Sequence, residues 1–189
     1  MKELKIKAES AIEAYKNTDD NGKKLLESLF GKENVAPKDI MDRVKTFDDA
    51  MNELGKEHPL FIEYNAMMNA QGYTPSAFVI AVMKLSVICA ALNEGWKPEY
   101  KKGEYRYMPW FWLFTKKEYE NMSEKDKQDC VLFGGDAYNG AVDGLVYAGS
   151  DNAPSDTSAY IGSRLCLKSS TLACYCGKQF AEIWADFLF

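Results

Sequence analysis

The stretch "AFVIAVMKLSVICAALNEGWKPEYKKGEYRYMPWFWLF", residues 77 to 114, changes its period halfway along. Fourteen of its first sixteen residues are apolar, broken only by Lys84 and Ser86. A helix apolar on every side is buried on every side, so 77–92 reads as the central helix of a core. It is too short, and carries Lys84 too near its middle, for a transmembrane span. Thr74 as cap and Pro75 at the first helical position open it, and Asn93 with Gly95 ends it. After Gly95 the pattern is extended: residues 103 to 114 hold six aromatic side chains, the type strands favour. Pro109 demotes part of that run to a sheet edge or a bulge.

Toward the N-terminus the chain reads as helix. Residues 8–17 and 18–31 are short amphipathic segments, the second entered by Thr18 or Asp19 and closed by Gly31. "VKTFDDAMNELG" (44–55) pairs Thr46 with Asp49 in a capping-box spacing and stops at Gly55. Residues 59–70 make another helix, with Pro59 in its first turn and Gly72 behind it. Toward the C-terminus, 115–129 is charged and solvated, with room for a helical turn after Ser123. "CVLFGGDAYNGAVDGLVYAGS" (130–150) holds two short apolar runs around Gly-rich turns, a hairpin signal. "DNAPSDTSAY" (151–160) reads as a loop. "IGSRLCLK" (161–168) alternates as a strand, and 169–189 reads as one amphipathic helix with Leu172, Cys176, Phe180, Ile183, Trp184 and Phe187 on its stripe. Helices, then strands, then a helix imply α+β. We expect a single compact domain over 1–189: 1–95 mainly helical around the buried central helix, and 96–189 a small antiparallel sheet closed by an amphipathic helix.

A net charge of −5 gives no global attraction to nucleic acid or anionic lipid, so any basic site must be local. "MKELKIKAES" has no apolar core of signal-peptide or anchor length, which argues for a cytoplasmic protein. Five cysteines, at 89, 130, 166, 174 and 176, include no CxxC pair and read as small hydrophobes in a reducing compartment. Cys174 and Cys176, two apart on a helix, point to different faces and make a poor redox pair. No metal or cofactor is called for by these residues.

Enzymatic chemistry finds little to work with. His58 is the sole histidine and sits before Pro59 as a helix-entry residue. Asp136, Asp143, Asp151 and Asp156 lie in Gly-rich loops that match no EF-hand pattern, and such aspartates usually satisfy local backbone donors. "FGGDAYNG" lacks the GxxxxGK[ST] phosphate cradle. "SRLCLKSST" is more specific. As a strand it puts Arg164, Cys166 and Lys168 on one face, and Ser169 and Ser170 then open the last helix, whose N-terminus favours an anion. The other reading is that Ser170 only caps the helix.

The aromatic stretch has two readings as well. From Trp96 to Lys117 six basic residues (Lys97, Lys101, Lys102, Arg106, Lys116, Lys117) stand against two acidic ones (Glu99, Glu104), a local balance of +4. Aromatic faces interleaved with cations are what single-stranded nucleic acid needs. Alternation puts Arg106, Met108, Trp110, Trp112 and Phe114 on one face, and Tyr105, Tyr107, Phe111 and Leu113 on the other. One face must cover the buried helix. The other is either a second core layer under 115–129 or an exposed platform.

"RVKTFDDAMNELG" (43–55), "ALNEGWKPEY" (91–100), "YMPWF" (107–111) and "GSRLCLKSSTLACYCGKQF" (162–180) together resemble, in order, the recurrent blocks of a family of short proteins. These are encoded by phages, including crAss-like phages, and by integrated elements of gut Bacteroidetes. Segment 115–160 departs from the pattern. The resemblance implies a mobile-element protein made inside a bacterial cell, and it assigns no activity and no site residue. The expectation is a non-enzymatic binding protein that takes single-stranded nucleic acid or a nucleotide-like anion through Arg106, Trp110, Trp112, Arg164, Lys168, Ser169 and Ser170. The alternative is a protein-interaction module, virion-associated or directed at a host defence or replication protein. The "ADFLF" terminus (185–189) supports that alternative, and the support vanishes if Phe187 to Phe189 pack inward.

Overall fold

The computed structural model describes residues 5–132, 144–154 and 165–189, and their contacts divide the chain into two units, 1–43 and 44–189. In the first unit, α1 (Ala8–Lys16), α2 (Asp20–Phe30), α3 (Lys32–Val35) and α4 (Ile40–Arg43) follow one another. The Asp19 carboxylate accepts from the Gly22 N–H at 2.8 Å and so starts α2. Ala11, Tyr15 and Val35 form a small buried cluster with Leu26 and Phe30 against it. The Tyr15 hydroxyl donates to Glu27 at 2.6 Å.

The second unit opens with α5 (Phe47–Leu54), α6 (Pro59–Met68) and α7 (Ala77–Leu92). Thr46 and Asp49 make the full capping box, and Pro59 opens α6 with His58 as its cap. The cap of α7 is Ser76, not Thr74: its Oγ accepts from the Val79 N–H at 3.4 Å. Only a side chain directly before the first helical residue reaches that amide, and Thr74 stands two positions too early. Burial of α7 is concentrated from Leu85 onward, where Leu85, Val87, Ile88, Cys89 and Leu92 are fully enclosed. Its first turn emerges: Phe78 is exposed on one side and stacks on Phe187 at 5.9 Å on the other.

Three antiparallel strands follow, β1 (Tyr105–Phe114), β2 (Cys130–Leu132) and β3 (Gly144–Pro154), in spatial order β1-β3-β2. The expected hairpin is β2 with β3. Residues 151–154, read as loop, belong to the end of β3 and pair with 105–108. Of "IGSRLCLK", residues 161–164 lie outside the described residues, and Leu167 makes a single bridge to Tyr107 at 3.0 and 2.9 Å instead of a strand. That bridge turns the Tyr107 N–H and C=O away from β3. By alternation Pro109 faces the same outer side, so its missing N–H costs the ladder nothing. A bulge at Ala148 of β3 follows directly, between the pairs Trp110–Gly149 and Phe111–Tyr147.

Between β1 and β2 lie α8 (Lys116–Asn121), opened by a Thr115–Glu118 capping box, and α9 (Glu124–Lys127), capped by Ser123. The C-terminal helix is two helices, α10 (Ser170–Gln179) and α11 (Ala181–Leu188), broken at Phe180 (φ −121°, ψ 30°). The break lets both stripes face inward: Leu172, Cys176 and Phe180 bury from α10, Trp184 and Ala185 from α11.

α10 rests on the sheet at Gly177, where a Cβ would come within 2.7 Å of the Tyr147 ring and 2.8 Å of Pro109. Trp184 of α11 meets Phe111 at 5.9 Å. α7 packs behind, against α5, α6, α10 and α11, so the sheet covers α10 and α11 and these cover α7. The fold is α+β, with the helix layer on one face of a small sheet. Among the described residues no helix is long and apolar enough to cross a membrane.

Candidate functional site

Alternation along β1 holds on both sides of the bulge. Tyr107, Pro109 and Phe111 face the helix layer, as the contacts of Pro109 with Gly177 and of Phe111 with Trp184 establish. Arg106, Met108, Trp110, Trp112 and Phe114 face the other side. That second face is closed at its ends and open in the middle. At one end Phe114 lies over Gly144, at the spot a Cβ would need, and stacks on Tyr119 of α8 at 5.7 Å. The Cys130 thiol reaches Met122 at 3.7 Å on the same side. At the other end Met108 is buried, and Arg106 is buried with its guanidinium 5.7 Å from the Tyr100 ring centroid.

Between these ends Trp110 is 51% exposed and Trp112 66%. Across the ladder Trp110 faces Gly149, which has nothing within 4 Å of where a Cβ would sit, and Trp112 faces Val146. Exposed Leu132, in the row of Gly144 and Phe114, borders the patch. The helical excursion 115–129 thus covers Phe114 and, on β2, Cys130 in the row of Trp112, and it leaves the two tryptophans themselves exposed. The pleat sets their Cα atoms about 7 Å apart, twice the stacking distance of about 3.4 Å between successive bases, so each ring has room for its own base. Lys116 and Lys117, both exposed, open α8 four and five residues beyond Trp112.

The other candidates lie elsewhere. Arg164 is outside the described residues, as are Gly162, Asp136, Asp143 and Asp156. Lys168 is engaged: its Nζ donates to Glu94 at 2.9 Å and to the Asn93 carbonyl at 3.3 Å. Ser169 is the cap of α10, accepting from the Leu172 N–H at 3.3 Å, a role the sequence reading gave to Ser170. Ser170 instead shares a 2.6 Å hydrogen bond with Ser150. Ser150 pairs with Pro109 and so lies on the helix side of the sheet, opposite Trp110. The structure therefore separates the tryptophan face from Ser169 and Ser170 and buries Arg106 between Tyr100 and the strand.

One polar cluster was not read from sequence. Ser170, Cys174 and Lys178 stand four residues apart on one stripe of α10, facing Tyr147 and Ser150 of β3. Burial pushes the Cys174 thiol up, but hydrogen bonds from Tyr147, Ser150 and Ser170, with the nearby Lys178 charge, outweigh it and bring it below the usual thiol range. Burial raises the Tyr147 phenol, and its bond to Cys174 raises it further. Lys178 sits over the Tyr147 ring at 5.5 Å. Cys176, facing the other way, is fully buried, and the Cys89 thiol of α7, hydrogen-bonded to it and desolvated, is held well above its ordinary range. The signal in the sequence was the spacing 170, 174, 178, which carries meaning only once β3 is known to lie opposite.

His58 is structural, its Nδ1 accepting from the Leu60 N–H at 3.2 Å. Asp151 satisfies its neighbour, accepting from the Asn152 N–H at 2.7 Å. Among the described residues no three metal-ligating side chains converge. Comparison with protein-family models, with curated proteins and with solved structures gives no match.

Proposed function

We propose that this is a non-enzymatic binding protein that holds single-stranded nucleic acid on the open face of its sheet. Bases stack on Trp110 and Trp112, and Lys116 and Lys117 at the start of α8 meet the phosphates. The observation that carries this reading is the pair of half-exposed tryptophans two residues apart on one sheet face, opposite a glycine with open space above it. Stacking is worth about 1–3 kcal/mol per base and tolerates any sequence, which suits a face rich in rings and poor in hydrogen-bonding side chains. On the same proposal the protein belongs with those that phages and integrated elements make inside a bacterial cell.

Exposed Leu132, on the same sheet face in the row of Gly144 and Phe114, favours a second reading, an apolar surface for a host or phage protein. The tail lends it only part of its support: Phe187 packs on Phe78 and Trp184, while Leu188 and Phe189 remain exposed. Fluorescence anisotropy of a labelled oligothymidine separates the two. Binding that falls about tenfold or more in Trp110→Ala and in Trp112→Ala, and steeply as salt rises, supports nucleic acid. An oligonucleotide that fails to bind at low salt sinks that reading and leaves the protein surface.

A further inference from the structure

Between α7 and β1 the chain runs through a loop, 93–104, that holds two non-glycine residues in the left-handed region, Glu94 (φ 50°) and Tyr100 (φ 58°). Either is disfavoured by contact of its Cβ with the backbone, and such residues persist only where their surroundings over-determine them. Here they do. Glu94 is tied to Lys168 at 2.9 Å, and Asn93 before it bridges to the Cys166 carbonyl and the Lys168 N–H at 2.8 and 2.9 Å. The Glu104 carboxylate accepts from the N–H groups of Glu99 at 3.0 Å and Tyr100 at 3.2 Å.

This loop walls a cleft of about 860 Å³ against α5, α6 and α7. That size suits a small molecule. Its walls include Leu54, Leu60 and Pro98, and the aromatic side chains are Trp96 and Tyr100. Carboxylates Glu53, Glu63 and Glu94 line it too, Glu94 paired with Lys168, and Lys97 and His58 are its basic side chains. Rings and carboxylates around an apolar floor attract a positive nitrogen more than an anion. The Tyr100 ring already takes the Arg106 guanidinium on one face.

We propose that this cleft binds a small organic cation, an apolar body bearing a protonated amine, with its hydrocarbon against Leu54, Leu60 and Pro98 and its nitrogen among Trp96, Tyr100 and Glu63. The test is an amide and indole NMR titration of the full chain with 2-phenylethylammonium and, separately, with its near-isosteric anion 3-phenylpropanoate. Saturable shifts of the Trp96 indole and of the Leu54, Leu60 and Tyr100 amides are expected with the ammonium, and at least about fivefold weaker binding of the carboxylate. Glu63→Gln lowers ammonium affinity about three- to tenfold and leaves the rest of the spectrum in place. Equal binding of both probes, or cleft resonances unmoved up to about 10 mM of either, overturns the assignment. Because the readout is on cleft residues, neither result bears on Trp110 and Trp112.

Discussion

Replacing Gly177 by Ala sets two effects of similar size against each other. Gly177 lies inside α10, where alanine is the better helix former by about 1 kcal/mol, so helix propensity alone makes the variant more stable. The structure opposes this, because the added Cβ would stand 2.7 Å from Tyr147 and 2.8 Å from Pro109. Carbon atoms in contact sit about 3.5–4.0 Å apart, so helix and sheet must separate by roughly 1 Å at this point. Overpacking of that kind costs about 1–3 kcal/mol. Pro109 has a locked backbone, and the Tyr147 ring carries Lys178 above it and the Cys174 hydrogen bond at its hydroxyl, so neither recedes freely. The expected balance is a loss of about 1 kcal/mol, seen in urea unfolding followed by circular dichroism and as a melting point lower by about 2–4 °C. Gly149→Ala is the matched control: it adds a Cβ into open space on the other face and stays within about 0.5 kcal/mol of the parent. A Gly177→Ala protein as stable as the parent, or more so, would refute the close seating of α10 on β1 and β3.

Three further outcomes follow from the same geometry. Asn93→Ala removes both partners of the Cys166 carbonyl and the Lys168 N–H, and the loss in unfolding free energy is expected at about 2–4 kcal/mol; under 1 kcal/mol contradicts the bridge. Tyr100→Val, a β-branched residue in the left-handed region, costs about 2 kcal/mol, while Tyr100→Gly stays within about 1 kcal/mol of the parent, and equal losses would contradict the strain at φ 58°. Cys130 and Cys174 are both half-exposed, yet burial with Asp129 and Asp126 raises the Cys130 thiol while its hydrogen bonds and Lys178 lower that of Cys174. The thiolate is the reacting form, so the alkylation rate of Cys174 rises at lower pH than that of Cys130. Mass spectrometry of peptides alkylated across a pH series reads this directly, and the reverse order would contradict the cluster around Cys174.

What was legible in the sequence had a local cause. The Thr46–Asp49 box, Pro59, the glycines at 31, 55 and 95 and the apolar run of α7 all act within a turn or two of themselves, and each appears where it was read. The α+β class followed from the change of period after Gly95. The misplaced features depended on competition or on distance. Ser76 displaced Thr74 as cap because it stands next to the helix, and the break at Phe180 lies inside a pattern whose helical period continues across it. Register was out of reach. Nothing in "YAGS" says that Gly149 will stand opposite Trp110, or that Ser150, one residue on, will face the helix layer with Ser170. The tryptophans were legible as candidates from composition, but their exposure depends on how far α8 and α9 extend over the sheet, which the charge of 115–129 does not disclose. The pairing of Lys168 with Glu94, separated by 74 residues, is long-range in the same sense.

The most direct test of the tryptophan face is intrinsic tryptophan fluorescence titrated with a short single-stranded oligonucleotide at low and at raised salt. Trp184 is buried in the helix layer and Trp96 is half-buried in the loop before β1, so Trp110 and Trp112 are the exposed tryptophans. Saturable quenching is expected at low salt, largely lost when salt is raised, and absent in the Trp110→Ala, Trp112→Ala double variant. Fluorescence unchanged by the oligonucleotide at either salt, or quenching that survives the double substitution, would contradict it.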